Sequence, residues 1–489
     1  MKNRKKNIVT IGGGTGSFML LSELKKHDDL NITAIVAMSD SGGSTGILID
    51  QMGVLPAGDV RQCLVALSET EDVLRKLFTY RYDKSFLKGH TFGNIFLSTI
   101  ESISGSFEKS IEEASKILNI KGKILPITLS KADLVVEFKN GKKIVGEGKI
   151  DNLNILNYKK IYLKNNPKLN PKIKKAIKEA DQIIVAPGNF YNSIIPNFLV
   201  EGFAKEIKKS KANKYFISNL TTKDGHTNNF SVTDFLKDLY KLSGEDDFID
   251  YVIYDKQKKI SNDVLRAYAE ENSQPICFND GLDFYKCQFI GKKLISSNKV
   301  KKVKGDLIKR SLLRHDSKKL FEIISEIDKR EKIYIFDFDH TLFNTRDQKK
   351  VMSVLLEGHE NMLSEQMWEY YRKGHKELSK FIKSQSKKFL FKDTIKILEK
   401  IKEKKILLSY GDIKYQTEKI YATGIPKYFD SVEIETKNKI NFLRKFYGKN
   451  KDKEIIFVND NCNKRFTENA DVKKEFPDMK VIVVDKYKK

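Results

Sequence analysis

The stretch Asn7-Ile8-Val9-Thr10-Ile11-Gly12-Gly13-Gly14-Thr15-Gly16-Ser17 decides the first half of the fold. Ile8 to Ile11 are β-branched and favour an extended strand. Glycines then permit a tight turn and let main-chain N–H groups approach a phosphate. The helix that follows presents its N-terminus to the same charge. Strand, glycine turn and helix, in that order, form the first unit of a parallel α/β sheet. The pattern is not G-x-G-x-x-G, because Ser17 holds the last position.

The same grammar continues outward. Ile32–Met38, Gln182–Ala186, Tyr215–Asn219 and Tyr251–Tyr254 read as strands, and Phe107–Leu118 and Lys172–Glu179 as helices. Asn140-Gly141 marks a hairpin between Leu134–Phe138 and Lys142–Val145. Polar, glycine-rich loops follow the strands: Ser39-Asp40-Ser41-Gly42-Gly43-Ser44-Thr45-Gly46, Ala186-Pro187-Gly188-Asn189-Phe190-Tyr191-Asn192-Ser193-Ile194-Ile195-Pro196-Asn197, and Asn219-Leu220-Thr221-Thr222. Gly58-Asp59-Val60-Arg61 and His90-Thr91-Phe92-Gly93-Asn94 stand at helix starts. Ligands of open α/β sheets bind at this edge.

A second start comes at Ile333-Tyr334-Ile335-Phe336, which runs into Asp337-Phe338-Asp339-His340-Thr341-Leu342. Two carboxylates at i and i+2 beyond a buried strand can face one phosphate and one metal. Asp337 can attack phosphorus, and Asp339 can move the proton. Thr341 can fix the loop. Strand Ile406–Leu408 ends at Ser409, a hydroxyl for phosphoryl oxygens. Lys437 or Lys439 can neutralise the nucleophile, and Ile455–Val458 leads to Asp460, a metal ligand. The metal set is then Asp337, Asp339 and Asp460. Helical segments Val351–Leu363, Glu365–Lys373 and Leu378–Ile382 form a long insertion between Leu342 and the Ser409 strand.

The chain has 489 residues, enough for more than one core. The boundaries predicted are a nucleotide-binding domain over 1–327, a charged connector over 328–332 and a second domain over 333–489, with its cap over about 345–395. No apolar run approaches the roughly 20 residues of a membrane helix. Glycines interrupt the basic start where a leader peptide would continue, so a cytoplasmic protein is expected. Four cysteines without a C-x-x-C pair fit a reducing compartment. The net charge of +25 comes from lysines scattered over helix surfaces. Without aromatic interleaving or a recognisable module, it argues against specific nucleic-acid binding and for capture of small phosphorylated metabolites.

The N-terminal motifs together resemble the gluconeogenesis factor (YvcK-like) family, relatives of the 2-phospho-L-lactate transferase (CofD-like) fold. The likeness runs from Ile8 to about Ile324. It implies a Rossmann-like sheet, a nucleotide or nucleotide-sugar ligand such as a UDP-sugar, a role in carbon metabolism and cell shape, and a fold suited to a homodimer. It places phosphate contact on Gly13, Gly14, Thr15 and Gly16 and on Gly42, Gly43 and Ser44. Polar ligand contact falls on Asp40, Asp59, Arg61, His90, Asn94 and Asn219, while Pro187, Gly188 and Tyr191 would shape the pocket. The chain departs from the family pattern at Ser41, Ile47 and His226. Residues Lys332 to Val484 resemble the haloacid dehalogenase-like superfamily. That likeness implies a second Rossmannoid domain with a helical cap, Asp337 as nucleophile, Asp339 as acid/base and Mg²⁺ as cofactor. It departs after Asp460, where Asn461, Cys462, Asn463 and Lys464 replace a second acid.

Three functions are compatible with these residues. One joins a regulatory binding module to a phosphohydrolase. Another makes the N-terminal half a phospholactate-type transferase. In the third, the whole chain is a non-catalytic sensor or scaffold.

Overall fold

The structure is a computed structural model. It describes residues 4–52, 54–55, 58–70, 72–84, 87–256, 260–278, 287–298, 313–355, 364–451, 453–460, 468–476 and 479–484. Pro56, Ala57 and the predicted stretch Asn461–Lys464 fall outside them. The chain divides into two compact α/β units, with the change between Ser325 and Glu326.

The first unit contains strands β1 (Lys6–Ile11), β2 (Leu30–Val36), β3 (Lys123–Pro126), β4 (Leu134–Phe138), β5 (Lys143–Val145), β6 (Tyr158–Leu163), β7 (Gln182–Val185), β8 (Asn213–Ile217), β9 (Tyr251–Asp255), β10 (Gln288–Lys292), β11 (Ile295–Asn298) and β12 (Leu313–His315). Its main sheet has the order β10-β9-β8-β7-β1-β2-β3. The pairs β1–β2, β1–β7, β2–β3, β7–β8 and β8–β9 are parallel. Ile8, Val9, Thr10 and Ile11 are all buried, as are all four residues of β7, so helices cover both faces. The hairpin signal at Asn140-Gly141 is realised: β4 and β5 pair antiparallel, with Gly141 at φ +81°.

The second unit contains β13 (Lys332–Asp337), β14 (Lys404–Tyr410), β15 (Ser431–Glu435), β16 (Glu454–Asp460) and β17 (Lys480–Val484). These form a fully parallel sheet of order β15-β14-β13-β16-β17. The period of two sorts its side chains into two layers. Ile333, Ile335, Ile406, Leu408, Ile455 and Phe457 pack on one face with Leu443, Val472 and Phe476. Phe336, Leu407, Ile456 and Val458 pack on the other with Leu398, Ile420 and Ile425. This is a second Rossmannoid layer structure. Cap helices Ser364–Arg372 and Lys376–Gln385 add a small core of Met367, Tyr371, Leu378 and Ile382 around Tyr415. The preceding helix spans Thr345–Leu355, earlier than the Val351–Leu363 reading, whose residues 356–363 lie outside the description. The helix before β13 spans Ser317–Lys329, so only Arg330 and Glu331 separate it from the strand. The charged residues 328 and 329 thus extend the helix instead of interrupting it.

Two glycines separate packing from propensity. A Cβ on Gly16 would overlap the main-chain carbonyl of Pro187, whereas one on Gly448, in helix Lys439–Lys449, would meet nothing within 4 Å. Gly16→Ala should destabilise the fold by about 1–3 kcal/mol. Gly448→Ala should stabilise it, by up to about 1 kcal/mol. Chemical denaturation of both variants checks the opposite signs.

Candidate functional sites

In the first sheet, connections run one way from β1 to β3 and the other way from β7 to β10, so the order reverses between β1 and β7. Crevices at such reversals receive ligands. The glycine turn leaves β1 at this point, Pro187-Gly188 leaves β7, and the loops after β2 and β8 flank them. Gly14 N–H donates to Asp59 Oδ1 at 3.0 Å. A side chain on Gly13 would displace that carboxylate. Gly188 and Asn219 exchange hydrogen bonds, at 3.2 Å from Gly188 N–H and 2.8 Å from Asn219 Nδ2.

Four of the predicted polar residues, Asp40, Arg61, His90 and Asn94, are joined through Thr45 and Ser44 in one hydrogen-bonded chain, whereas Asp59 and Asn219 bond to Gly14 and Gly188. Arg61 Nε donates to Asn94 Oδ1 at 2.9 Å, and Asn94 Nδ2 donates to Thr45 Oγ1 at 3.2 Å. Thr45 donates to Asp40 Oδ2 at 2.9 Å, while Gly42 N–H donates to Asp40 Oδ1 at 3.0 Å. Ser44 Oγ meets His90 Nδ1 at 3.2 Å and accepts from Thr91 N–H at 3.3 Å. Gly43 begins the helix that carries Ser44, and Thr15 is exposed in the first turn after the glycines. Tyr191 differs from its expected place as a pocket wall. It is buried, and its hydroxyl donates to Asp238, which also accepts from Tyr158 at 3.0 Å. It braces the scaffold below.

A second polar group stands beside this chain, and its acids, Glu147 and Asp151, belong to no predicted motif. Asn192 Nδ2 donates to Glu147 Oε1 at 2.6 Å and Asp151 Oδ1 at 2.5 Å. Asn189 and Lys223 also bond Asp151. The buried atoms Asn192 Oδ1 and His226 Nδ1 lack partners among the described residues. Its acids reach the loops only through the β4–β6 insertion, so sequence spacing could not announce them.

Burial dominates the electrostatics. It pushes Asp59 up to about 7, with help from the Asp40 charge. It pushes Glu147 up to about 8, with help from Asp40 and Asp151. Burial raises Asp40 as well. Asp151 stays low against its own burial because Lys223 pairs with it.

In the second unit, the loop after β13 turns through His340, at φ +62°. Thr341 Oγ1 donates to Asp337 Oδ2 at 3.3 Å. Lys439 Nζ stands 2.8 Å from Asp337 Oδ1, and both side chains are buried. Lys437 is exposed, so Lys439 is the lysine at the carboxylates. Ser409 is fully buried at the end of β14, and its hydroxyl has no partner among the described residues. Burial pushes Asp337 up to about 7 against Lys439, and the charges of Asp339 and Asp460 add to the rise. Asp339 is held down at about 2 despite burial, because Lys419 pairs with it and Thr345 donates to it. Lys419 and Thr345 belong to no predicted motif. Among the described residues no three His, Cys, Asp or Glu side chains form a metal cage. A Mg²⁺ ion ordinarily needs only one or two carboxylates, with water and substrate oxygens completing its shell.

Glu147 carries a stability consequence. Its carboxyl titrates near 4.5 ordinarily and near 8 in the fold. Between those values the unfolded chain loses its proton first, so stability falls as pH rises. Glu147→Gln should raise the melting temperature by about 2–4 °C at pH 8 and leave it nearly unchanged near pH 4.5. Calorimetric melting at the two pH values is decisive; an equal gain at both would refute the buried-acid account.

Comparison with known proteins covers the first unit. The family model described as 2-phospho-L-lactate transferase CofD matches residues 8–298. A candidate gluconeogenesis factor from Aquifex aeolicus (strain VF5) is 40% identical over 340 residues, covering 67% of this chain and 98% of its own. The gluconeogenesis factor of Bacillus subtilis (strain 168) is 34% identical over 328 residues, covering 66% of this chain and 98% of its own. A solved UPF0052-family structure from Bacillus halodurans superposes with a TM-score of 0.59 at 34% identity, over 66% of this chain and all of that one. Among the described residues, no helix is long and apolar enough to cross a membrane. Over its N-terminal two-thirds, the chain belongs to the CofD and gluconeogenesis factor family.

Proposed function

We propose that this is a bifunctional cytoplasmic protein. Its N-terminal half binds a nucleotide or nucleotide-sugar and regulates carbon metabolism and cell shape. Its C-terminal half is a haloacid dehalogenase-like phosphohydrolase acting on a small phosphate ester. One observation carries the catalytic reading: a buried carboxylate and, two residues on, a half-buried one, each with its own buried lysine, beside a buried hydroxyl that lacks a partner among the described residues.

The chemistry follows from those groups. Asp337 attacks phosphorus, and the P–O bond to the leaving group breaks as the aspartyl-phosphate forms. Asp339, ionised beside Lys419 in the resting site, relays to the leaving oxygen the proton that a phosphate monoester brings in its monoanionic form. It then takes a proton from the water that cleaves the acyl phosphate, which restores Asp337 and frees inorganic phosphate. Ser409 and Lys439 bind the phosphoryl oxygens. Of the predicted metal set, Asp337 and Asp460 would hold a Mg²⁺, which when bound neutralises charge at the phosphoryl group, while both side-chain oxygens of Asp339 are taken by Lys419, Thr345 and Gln416. Cap residues above β14 exclude bulk water and choose the ester.

In the N-terminal half, the glycine turn, Gly42 to Ser44 and Arg61 support phosphate recognition at the reversal of the sheet. A phospholactate-type transferase reading of this half draws on the family description. Group transfer to a deazaflavin acceptor by the full chain would establish it.

With Mg²⁺ and a panel of sugar phosphates and nucleotides, the wild type should hydrolyse at least one ester about 10³-fold faster than Asp337→Asn. Equal rates across the panel would sink the phosphohydrolase reading. Titration calorimetry of the full chain with UDP-sugars should detect binding, weakened about 10-fold or more in Arg61→Ala. No heat with any UDP-sugar or free nucleotide would remove the binding reading in this form.

A further inference from the structure

The helix Ile413–Thr423 follows β14 and has two occupied sides. Toward the sheet, Lys419 Nζ stands 2.5 Å from Asp339 Oδ1 with its side chain only 2% exposed. One turn earlier, Gln416 Nε2 donates to Asp339 Oδ2 at 3.1 Å and to the Tyr410 carbonyl at 2.8 Å. Thr345 donates to Asp339 Oδ1 at 2.5 Å, so both oxygens of the carboxylate are bound. The ammonium is enclosed by rings, 5.1 Å from the centroid of Phe338, 4.9 Å from Phe343 and 5.6 Å from Tyr415.

Toward the cap, the same helix offers Asp412, Tyr415 and Glu418. Asp412 stands 3.5 Å from Arg372, and Tyr415 packs edge-on to Tyr371 at 5.4 Å. Glu418 accepts from Tyr371 and from Ser379 at 3.3 Å and pairs with Lys383 at 2.8 Å. Arg372, Tyr371, Ser379 and Lys383 all belong to the cap helices.

We propose that Lys419, assisted by Gln416, is a positioning residue that holds the Asp339 carboxylate in register with Asp337 and links its placement to the seating of the cap. The inference rests on the phosphohydrolase reading. A buried ion pair contributes little stability over an apolar pair of similar volume. Stability alone therefore does not account for a lysine enclosed in aromatic rings at this point. Its ammonium reaches Asp339, while Asp337 has Lys439. One cation per carboxylate fixes two like charges two residues apart, and removing either cation would let its acid swing. Lys419 touches no reacting atom and acts through Asp339.

The test uses the full chain with Mg²⁺ and p-nitrophenyl phosphate. Lys419→Met should lower kcat at least about 10-fold while KM changes less than about 3-fold, and Lys419→Arg should recover part of the loss. In an Asp339→Asn background, Lys419→Met should change kcat less than about 3-fold, because the two residues form one unit. Equal losses in both backgrounds, or a change confined to KM, would overturn the proposal. Should Lys419→Met fail to fold, the comparison of Asp339→Asn with the Asp339→Asn/Lys419→Met double variant decides, since it removes both members of the buried pair. A wild type no faster than Asp337→Asn would instead defeat the phosphohydrolase reading, and this inference with it. A wild type that turns over with additive losses would defeat the role of Lys419 alone.

Discussion

A carboxylate buried at the end of a parallel strand has to be compensated, and the manner of compensation distinguishes the two halves of this protein. Parallel sheets bury both faces, so their strand ends emerge from an apolar floor. An acid placed there loses water on most sides and shifts toward its neutral form unless donors or cations surround it. Asp40, Asp59 and Asp337 all stand at or beside such strand ends, and burial raises all three.

In the second unit the compensation is specific. Lys439 meets Asp337 and Lys419 meets Asp339, each in the buried interior. Fixed opposite charges around two acids favour chemistry in which a proton and a phosphoryl group move between defined atoms. In the first unit the acids are shared more loosely. Arg61 reaches Asp40 through Asn94 and Thr45, and Lys223 serves Asp151. Glu147 accepts from Asn192 and is pushed up to about 8 by burial. Among the described residues the first unit's site has no counterpart to the pairing of one buried lysine with each acid in the second unit.

The parts that were legible in the sequence are those whose cause is local. The β-branched run Ile8–Ile11, the hairpin at Asn140-Gly141 and the Asp337–Asp339 spacing each express a rule that acts over a few residues. The strands that the pattern places appear within one to two residues of it, while β3, β6, β10, β11, β12, β15 and β17 carried no such signal. The parts that were not legible depend on closure over long separations. Lys419 meets Asp339 across 80 residues, and Asn192 meets Glu147 across 45. Nothing in the spacing of Gln416 and Lys419 distinguishes them from any other helical i, i+3 pair. The choice between Lys437 and Lys439 had the same character, because both are lysines at a helix start and only burial separates them. Tyr191 shows the converse, since a residue inside a recognisable motif turned inward to Asp238.

The abundance of lysine explains why these contacts were hidden and why they matter. With 90 Lys and Arg against 65 Asp and Glu, almost any acid has a cation within reach of an exposed side chain. Exposed charges are screened beyond about 8 Å at physiological salt, and an exposed pair contributes about 0–1 kcal/mol. The surface excess can speed the approach of an anionic ester, but it cannot orient a carboxylate at the reacting atom. Orientation requires a cation that has itself lost its water. The chain supplies two such cations beside Asp337 and Asp339, among rings and strand ends where no mobile surface lysine could substitute for them.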